Sequence, residues 1–280
     1  MEVWVNGKYL PLDGPAVAAR DRGFLHGEAV YEGVKIVARR PLFLDAHLER
    51  LAASARAIGL EPPWDAGGLR PILGRLLDDG AGRDTVMARL YLTRGVEDGP
   101  PSALAWLEPL PARSLPDTPP WRLACHPERI VPYLPAVKHT SRLAHARARR
   151  AARDAGADDA LLVHPDGWVL EGAASNLFFF EADTLHTPEP GCGILAGITR
   201  DVVLELAPGC GFKTVEGRYP AAIVAAADEC FLTFTSAGIK PVAELDGRPF
   251  PDPVPGPRTS RLREAYDAHV AKVLASTVAI

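Results

Sequence analysis

The clearest feature in the pattern of hydrophobic and polar positions is a pair of apolar runs that flank a turn. Residues 161–163 and 168–170 lie on either side of Pro165-Asp166-Gly167, a combination typical of a β-hairpin. The second run ends in Glu171, and five small or polar residues separate it from a third apolar run at residues 177–180. We therefore predict three strands and a carboxylate that can face a ligand, with a solvated strand-end glutamate as the ordinary alternative.

Alternating side chains predict further strands in the N-terminal half. One strand places Tyr31 on one face and Glu32 on the other, and Tyr31 fits a half-buried strand aromatic as well as a functional residue. Another strand covers residues 85–93, where Arg89 and Tyr91 share a face. A mid-strand arginine is costly to bury unpaired, so Arg89 either reaches water or faces an anion.

Helical spacing of apolar residues predicts helices over residues 45–58, 69–77 and 260–274. Arg50 lies beside the apolar stripe of the first of these, where a surface arginine is the ordinary case. A further helix begins near Thr199, which stands where an N-cap belongs. The free N–H groups and the dipole of that helix form a potential anion site.

Two more segments place chemical groups at the ends of elements. Lys138 follows the apolar sequence Leu134-Pro-Ala-Val137, which favours its burial over the usual solvated position of a lysine. A strand that ends near Phe234 opens into a hydroxyl-rich turn, Thr235-Ser236, and Lys240 follows that turn.

The segment between residues 99 and 120 contains seven prolines and little periodicity. We predict that it is a linker between a small α/β domain at residues 1–115 and a larger C-terminal domain at residues 121–280. A chain of 280 residues is long enough for two such domains, each with its own core.

Composition excludes several classes of function. The chain has 31 basic and 35 acidic residues and a net charge of −4, which argues against nucleic-acid binding and against a polybasic membrane surface. No apolar run approaches the roughly 20 residues of a membrane span, and the N-terminus lacks a signal pattern. The four cysteines show no zinc-type spacing and indicate a reducing cytoplasm, and the eight histidines contain no HExxH pair, so no metal site is expected.

The remaining polar groups form an inventory that pyridoxal 5′-phosphate (PLP) chemistry requires. The aldehyde of PLP needs a lysine for a Schiff base, the ring nitrogen needs a carboxylate, and the phosphate needs a helix terminus, hydroxyl groups and an arginine. This chain offers Lys138, Glu171 and Arg50, together with two anion-binding turns, Ile198-Thr199 and Thr235-Ser236.

The order and spacing of these groups resemble the class IV aminotransferase family, the fold type IV PLP enzymes. This family includes D-amino-acid transaminases, branched-chain aminotransferases and 4-amino-4-deoxychorismate lyases. The most specific matching segments are Glu171-Gly-Ala-Ala-Ser-Asn176-Leu-Phe, His47-Leu-Glu-Arg50-Leu and Gly197-Ile-Thr-Arg-Asp-Val-Val203.

The resemblance implies a two-domain α/β fold, with an α/β N-terminal domain and a pseudo-barrel C-terminal domain. It also implies PLP between the domains and a homodimer in which each subunit lends loop residues to its partner. By position, Lys138 is the Schiff-base lysine and proton shuttle, and Glu171 pairs with the pyridinium nitrogen. The phosphate ligands implied by the resemblance are Arg50, the N–H groups of Ile198 and Thr199, and the turn Thr235-Ser236.

Motifs that separate the family members point in different directions. Val30-Tyr31-Glu32, Thr93-Arg94-Gly95 and Leu143 resemble D-amino-acid transaminases. The Arg-x-His that traps the substrate carboxylate in those enzymes is missing, and Val96-Glu-Asp-Gly stands in its place. Arg89 matches an arginine of branched-chain enzymes, while Lys138-His139 and Gly167-Trp168-Val169 are similar to the lyase.

We therefore predict a PLP-dependent transaminase that acts on an amino acid, with D-amino acids favoured, and a 2-oxo acid. The substrate carboxylate needs a cation, for which Arg89 is the first candidate and Lys240 the second, with Tyr31 donating a hydrogen bond. The alternatives are a branched-chain L-amino-acid aminotransferase, a 4-amino-4-deoxychorismate lyase and a non-catalytic PLP-fold binding protein.

Overall fold

The computed structural model describes residues 1–79, 84–115 and 118–280, which form two compact units. The first unit comprises Met1–Ser114, Val137–Ser141 and Val270–Ile280. The second comprises Leu115–Ala136 and Arg142–His269. Each unit contains one β-sheet with helices, so the predicted α/β class is confirmed.

These units differ from the predicted division into residues 1–115 and 121–280 at two places. The short segment that carries Lys138 belongs to the first unit, because the Tyr31 N–H donates a hydrogen bond to the Lys138 carbonyl at 3.0 Å. The C-terminus also returns to the first unit, where the Ile280 N–H donates to the Arg39 carbonyl at 2.9 Å. Backbone pairing over long sequence separation is not visible in the local pattern of the chain.

The first unit is built on a six-stranded antiparallel sheet in the order β2-β1-β6-β5-β3-β4. Its strands are β1 (Glu2–Val5), β2 (Lys8–Pro11), β3 (Ala29–Val37), β4 (Arg40–Pro41), β5 (Thr85–Thr93) and β6 (Ser102–Pro109). Its helices are α1 (Arg22–His26), α2 (Leu44–Ala57) and α3 (Ala66–Asp79).

Helices α2 and α3 pack on one face of this sheet and form its hydrophobic core. Alternate residues of β3 and β5, such as Val34 and Leu90, meet the apolar stripes of the helices, such as Leu51 and Leu73. The predicted helices at residues 45–58 and 69–77 and the strand at residues 85–93 are thereby confirmed.

The predicted linker at residues 99–120 was wrong for its first half, because β6 lies within it and pairs with both β1 and β5. Ala103, Ala105 and Leu107 alternate toward the core, as a half-buried strand requires. The prolines flank this strand, Pro109 being its last residue, and so they hide its periodicity. Residues 116 and 117 of the predicted linker lie outside the described residues.

The second unit is built on a nine-stranded mixed sheet that curls into a half-barrel, in the order β12-β11-β10-β13-β14-β7-β8-β9, with β15 paired to β14. Its strands are β7 (Trp121–Cys125), β8 (Asp159–Val163), β9 (Val169–Gly172), β10 (Asn176–Glu181), β11 (Thr184–Pro188), β12 (Lys213–Gly217), β13 (Glu229–Phe234), β14 (Gly238–Leu245) and β15 (Arg248–Pro249). The predicted hairpin around Gly167 joins β8 to β9, and the third predicted strand is β10.

Four helices complete the fold, namely α4 (Leu143–Asp154), α5 (Ile198–Leu206), α6 (Ala221–Ala225) and α7 (Pro257–Ser276). The prediction of Thr199 as an N-cap was wrong, because Gly197 caps α5 and Thr199 lies one residue inside the helix. Within the described ranges, none of the helices has the length and apolar character needed to cross a bilayer.

Candidate active site

Lys138 is held in the first unit by backbone hydrogen bonds on both sides of its peptide. Its N–H donates to Ser54 Oγ of α2 at 3.1 Å, and its carbonyl accepts the Tyr31 N–H of β3. The Thr140 N–H in turn donates to the Ala29 carbonyl at 2.9 Å. The residues around Lys138 therefore extend the start of β3 and fix the direction in which the lysine side chain leaves.

The Lys138 ammonium lies over an aromatic ladder on the face of the sheet that α2 and α3 do not cover. Its Nζ is 4.8 Å from the centre of the Tyr31 ring. Tyr31 stacks on Tyr91 at 5.3 Å, and Tyr91 stacks on Trp106 at 4.9 Å. The half-buried Lys138 side chain thus has an apolar, electron-rich floor, which attracts its cation and limits access of water on one side.

Arg50 lies in a buried charge cluster with Glu32 and His47. Its Nε donates to Glu32 Oε1 at 2.6 Å and its Nη2 donates to Glu32 Oε2 at 3.0 Å, a bidentate pair. His47 Nδ1 is 2.8 Å from Glu32 Oε2. The cluster joins β3 to α2 and holds the guanidinium of Arg50 in one orientation.

The protonation states in this cluster follow from burial and charge. Burial raises the pKa of Glu32, but the positive charge of Arg50 and the hydrogen bonds of Arg50 and His47 outweigh it and bring the pKa well below the ordinary range. Burial lowers the pKa of His47, and the positive charges of Arg50 and Lys138 lower it further. The negative charge of Glu32 and its hydrogen bond raise this pKa but do not outweigh the other effects. Glu32 is therefore ionised, and a neutral His47 donates its Nδ1–H to it.

Glu32 and His47 were missed as site residues in the sequence. Both are fully buried, and the His47 Nε2 atom has no hydrogen-bond partner although it is inaccessible to water. Glu32 interrupts a strand face that otherwise consists of Val30, Val34 and Ile36. A carboxylate at such a position must be paired, and this requirement was the available signal.

Arg89 lies on the aromatic face, as predicted, but it already has a carboxylate partner. Its Nε donates to Glu108 Oε1 at 2.7 Å, and its Nη2 donates to the same oxygen. The strand register places Arg89 opposite Gly33 on one side and Trp106 on the other. The predicted cation is therefore near Tyr31 and Tyr91 in the sheet, although Glu108 was not foreseen beside it.

Glu171 is fixed in the second unit by two donors. Its Oε2 accepts the Asn176 amide N–H at 3.1 Å and the Leu195 backbone N–H at 3.1 Å. The Asn176 amide also donates to the Leu195 carbonyl at 2.8 Å. The carboxylate is thus tied to the loop that leads into α5, which excludes the alternative of a freely solvated strand-end glutamate.

The start of α5 lies directly beside Asn176. A Cβ on Gly197 would stand 2.0 Å from Asn176 Oδ1, so only glycine permits this approach. The next two residues, Ile198 and Thr199, form the first turn of the helix. Tyr266 of α7 hydrogen-bonds the Thr199 side chain, and burial raises the pKa of Tyr266 to about 12. The second unit therefore brings the helix N-terminus close to Glu171.

Thr235-Ser236 forms the turn between β13 and β14, as predicted. Two contacts relate this turn to the other site residues. Asn176 pairs with Thr233 across β10 and β13, and Tyr266 packs on Gly238 at the start of β14. The two predicted anion-binding turns and Glu171 therefore belong to one region of the second unit.

Lys240 occupies a different environment. Its Nζ donates to the carbonyl of Thr118 at 2.9 Å and also to the Thr118 hydroxyl, and it lies 5.9 Å from the Trp121 ring. Lys240 pairs with Leu232 of β13, and its side chain therefore points to the face of the sheet opposite to that of Thr233. Burial lowers the pKa of Lys240. Its hydrogen-bond partner Thr118 lies in the segment just before β7.

The residues fit PLP in the chemical groups that they present. The second unit has a fixed carboxylate, a helix N-terminus with free N–H groups and a hydroxyl-bearing turn, which suit a pyridinium nitrogen and a phosphate. The first unit has a lysine on an aromatic floor and an oriented arginine, beside the unpartnered His47 Nε2. Both a nucleophilic amine and an anion-binding cation are thus available for an aldehyde that carries a phosphate.

Comparisons with known proteins agree with this chemistry. The model of the family described as amino-transferase class IV matches residues 29–245. The putative branched-chain-amino-acid aminotransferase of Methanocaldococcus jannaschii is 32% identical, and the match covers 95% of each chain. The D-alanine aminotransferase of Bacillus licheniformis is 30% identical, over 99% of this chain and 100% of that protein.

A solved structure resembles the whole chain as well. The PLP-bound form of a hypothetical aminotransferase from Mycobacterium tuberculosis superposes with a TM-score of 0.85. It shares 26% sequence identity, and the match covers 96% of this chain and 100% of that one. The similarity thus includes the segments that carry Lys138, Arg50 and Glu171.

Proposed function

We propose that this chain transfers the amino group of a D-amino acid to a 2-oxo acid. The proposal starts from its membership of the class IV aminotransferase family, which makes it a PLP-dependent aminotransferase. The observation that carries the proposal is the placement of Lys138, whose ammonium lies on Tyr31 while its backbone is clamped to β3 and α2. Bound PLP supplies the electron sink that stabilises negative charge at the substrate α-carbon.

Lys138 would hold the cofactor aldehyde through Nζ and, once the substrate amine has taken its place there, its freed amine would move the α-proton as the general base and acid. A lysine performs this task when its amine is partly desolvated and its position is restricted. The aromatic floor and the two backbone hydrogen bonds provide both conditions.

The other proposed ligands divide by the part of the cofactor that they suit. Glu171 keeps a proton on the pyridine nitrogen, because its carboxylate is held by Asn176 and Leu195 and cannot turn away. The phosphate takes Arg50, the N–H groups of Ile198 and Thr199, and the Thr235-Ser236 turn. The proposed cofactor ligands thus include residues of both units, and they are the residues that the sequence motifs suggested.

The preference for D-amino acids is supported by the segments that distinguish the members of the family. Tyr31 and Glu32 stand at the start of β3, and Thr93-Arg94-Gly95 follows the end of β5 beside it. Leu143, the first residue of α4, takes a position where branched-chain enzymes carry a tyrosine. The 30% identity to a D-alanine aminotransferase over nearly the whole chain is consistent with this choice.

For the substrate carboxylate we propose Arg89, with a hydrogen bond from Tyr31. Both side chains lie on the face that carries the Lys138 ammonium, and a carboxylate left unpaired there is costly by several kcal/mol. Lys240 remains a second candidate only if it leaves Thr118, to which its ammonium is now bonded.

A second candidate, transamination of branched-chain L-amino acids, is favoured by the match to the Methanocaldococcus jannaschii protein and by Arg89. The two candidates are separated by a single-turnover screen of the holoenzyme, in which the loss of the cofactor absorbance band is followed. The substrates are D-alanine, D-glutamate, L-leucine and 4-amino-4-deoxychorismate. We expect the fastest conversion with a D-amino acid, whereas faster conversion of L-leucine than of D-alanine would overturn the D-preference.

We also propose that the enzyme is a cytoplasmic homodimer. Helix α1 presents two large apolar side chains to solvent, with Phe24 74% and Leu25 53% exposed, which suits a surface that a second copy of the chain covers. All four cysteines are free thiols, as a reducing compartment allows. Sedimentation of the wild type and of Phe24→Ser should give a dimer and a larger monomer fraction, respectively.

A further inference from the structure

The aromatic face of the first unit carries an ion pair between Arg89 and Glu108, and Glu108 has no role in the proposed reaction. Tyr31 and Gly33 of β3 pair with Tyr91 and Arg89 of β5, and Met87 of β5 pairs with Glu108 of β6. Since directly paired residues point to the same side of a sheet, Arg89 and Glu108 lie on the face that Tyr31 and Tyr91 occupy.

The ion pair uses the edge of the guanidinium that suits a carboxylate best. Both Nε and Nη2 of Arg89 donate to Glu108 Oε1, and Nε lies 2.7 Å from that oxygen. The two side chains keep 25% and 34% of their exposure, so the pair is reachable rather than part of the core. This edge is the one at which a substrate carboxylate would form a two-point contact.

The backbone of β3 makes room for the other end of the guanidinium. A Cβ on Gly33 would stand 2.8 Å from Nη1 of Arg89 and 3.4 Å from the Met87 methyl group. Arg89 therefore passes close to Gly33 at Nη1, while its Nε and Nη2 contact Glu108. This arrangement keeps the cation on the strand beside Tyr31 and prevents it from extending freely into water.

We propose that Glu108 determines substrate specificity by competing with the substrate carboxylate for Arg89. The inference rests on the proposed function, in which Arg89 binds that carboxylate. A substrate anion must either displace Glu108 from the Nε and Nη2 edge or bind at Nη1 beside a fixed negative charge. In both cases Glu108 weakens carboxylate binding while it leaves neutral groups unaffected.

The competition has a consequence for the class of substrate. A monocarboxylate with an apolar side chain meets the repulsion of Glu108 once and gains the aromatic ladder. A dicarboxylate brings a second negative charge to the same surface, where like charges oppose binding. The enzyme should therefore favour apolar monocarboxylic amino acids and 2-oxo acids over glutamate and 2-oxoglutarate.

The test compares two ligands of the same shape, 4-methylpentanoate and its amide 4-methylpentanamide. Their dissociation constants are measured from the change in cofactor absorbance of the holoenzyme, which requires no turnover. In Glu108→Gln we expect the constant of the carboxylate to fall by about tenfold, the effect of one charge-assisted interaction, while that of the amide stays unchanged. The KM for 2-oxoglutarate should fall with it, and kcat should not change.

Glu61→Gln serves as the matched control, because Glu61 is an exposed carboxylate between α2 and α3, and it should change neither constant. Glu108→Ala, a second variant in case the first is unstable, should shift the carboxylate constant in the same direction. Adding Glu108→Gln to Arg89→Ala should lower the carboxylate constant much less than Glu108→Gln does in the wild type, because only the charge repulsion of Glu108 is then removed.

Equal changes for the carboxylate and the amide, or none for either, would overturn the role of Glu108. An undiminished effect of Glu108→Gln in the Arg89→Ala background would show that Glu108 does not act through Arg89. Failure of the proposed function looks different, because the wild-type holoenzyme would then convert L-leucine faster than D-alanine, while the binding measurement still reports on Glu108.

Discussion

At the scale of single residues, Glu171 is the proposed partner of the pyridine nitrogen, and its carboxylate is held in place. Two donors, the Asn176 amide and the Leu195 N–H, each lie 3.1 Å from one of its oxygens. An ionised carboxylate favours a protonated pyridine nitrogen, which draws charge from the substrate α-carbon. The hydrogen bonds thereby link a strand-end glutamate to the rate of proton abstraction.

Glu171→Gln should keep PLP bound but slow proton abstraction by about 10²–10³, as the loss of one electrostatic stabiliser does elsewhere. The rate is measured in single turnovers of the holoenzyme. Glu205→Gln, which removes an exposed carboxylate from α5, should leave the rate unchanged. A Glu171→Gln rate equal to that of the wild type contradicts the pairing with the ring nitrogen.

Arg50→Ala should weaken cofactor retention by about 10- to 100-fold, since it deletes charge-assisted contacts to the phosphate. The same change leaves Glu32 buried without its bidentate partner and so destabilises the fold. The double variant Arg50→Ala/Glu32→Gln separates the two effects, because it should recover stability without recovering retention. Equilibrium dialysis against PLP measures retention, and wild-type retention in either variant argues against a phosphate contact.

Candidate site residues could be selected from the sequence where each ends an apolar segment, as Lys138 and Glu171 do. Glu108 could not be identified in this way, because its contact with Arg89 depends on the register between β5 and β6. The strand β6 was itself hidden in a proline-rich segment. Glu32 and His47 depend likewise on the packing of α2 against β3.

At the scale of elements, α2 carries a histidine whose protonation opposes folding. Burial lowers the pKa of His47 from its ordinary value of 6.5, so His47 stays neutral in the folded protein. Below pH 6.5 the unfolded chain takes up a proton that the folded chain does not, and the free energy of unfolding falls. This contribution is complete above pH 6.5 and is lost as the pH decreases toward the folded pKa.

His47→Gln should therefore make the pH dependence of stability shallower below about pH 6.5, by at most about 1.4 kcal/mol per pH unit. Urea unfolding at several pH values measures the slope. His26→Gln, which changes an exposed histidine of α1, should retain the wild-type slope. Parallel curves for His47→Gln and the wild type contradict a neutral buried His47.

The elements themselves were predicted well where one period dominates, as in α2, α3 and β5. The start of α5 was misplaced because Thr199 has the chemistry of an N-cap, whereas the close approach of Asn176 requires Gly197 at that position. Local propensity indicates which residues suit a cap, but the packing of a distant side chain decides which one is used.

At the scale of the whole molecule, the chain crosses between its two units more often than its sequence suggests. The segment Val137–Ser141, which carries Lys138, and the C-terminal residues Val270–Ile280 both return to the first unit. The segment around Lys138 is held there by Ser54 and Tyr31, which lie far from it in sequence. A prediction that divides the chain at one linker misses this arrangement, because it depends on backbone hydrogen bonds between residues far apart in the sequence.

Our central proposal for the whole molecule is that Lys138, one of six lysines in the chain, carries the cofactor. Borohydride reduction of the holoenzyme followed by peptide mapping tests this claim most directly. We expect the cofactor on the peptide that contains Lys138. Lys138→Ala should be folded but inactive, and Lys8→Ala should be labelled and active like the wild type. Label on any other lysine of the wild-type enzyme would contradict it.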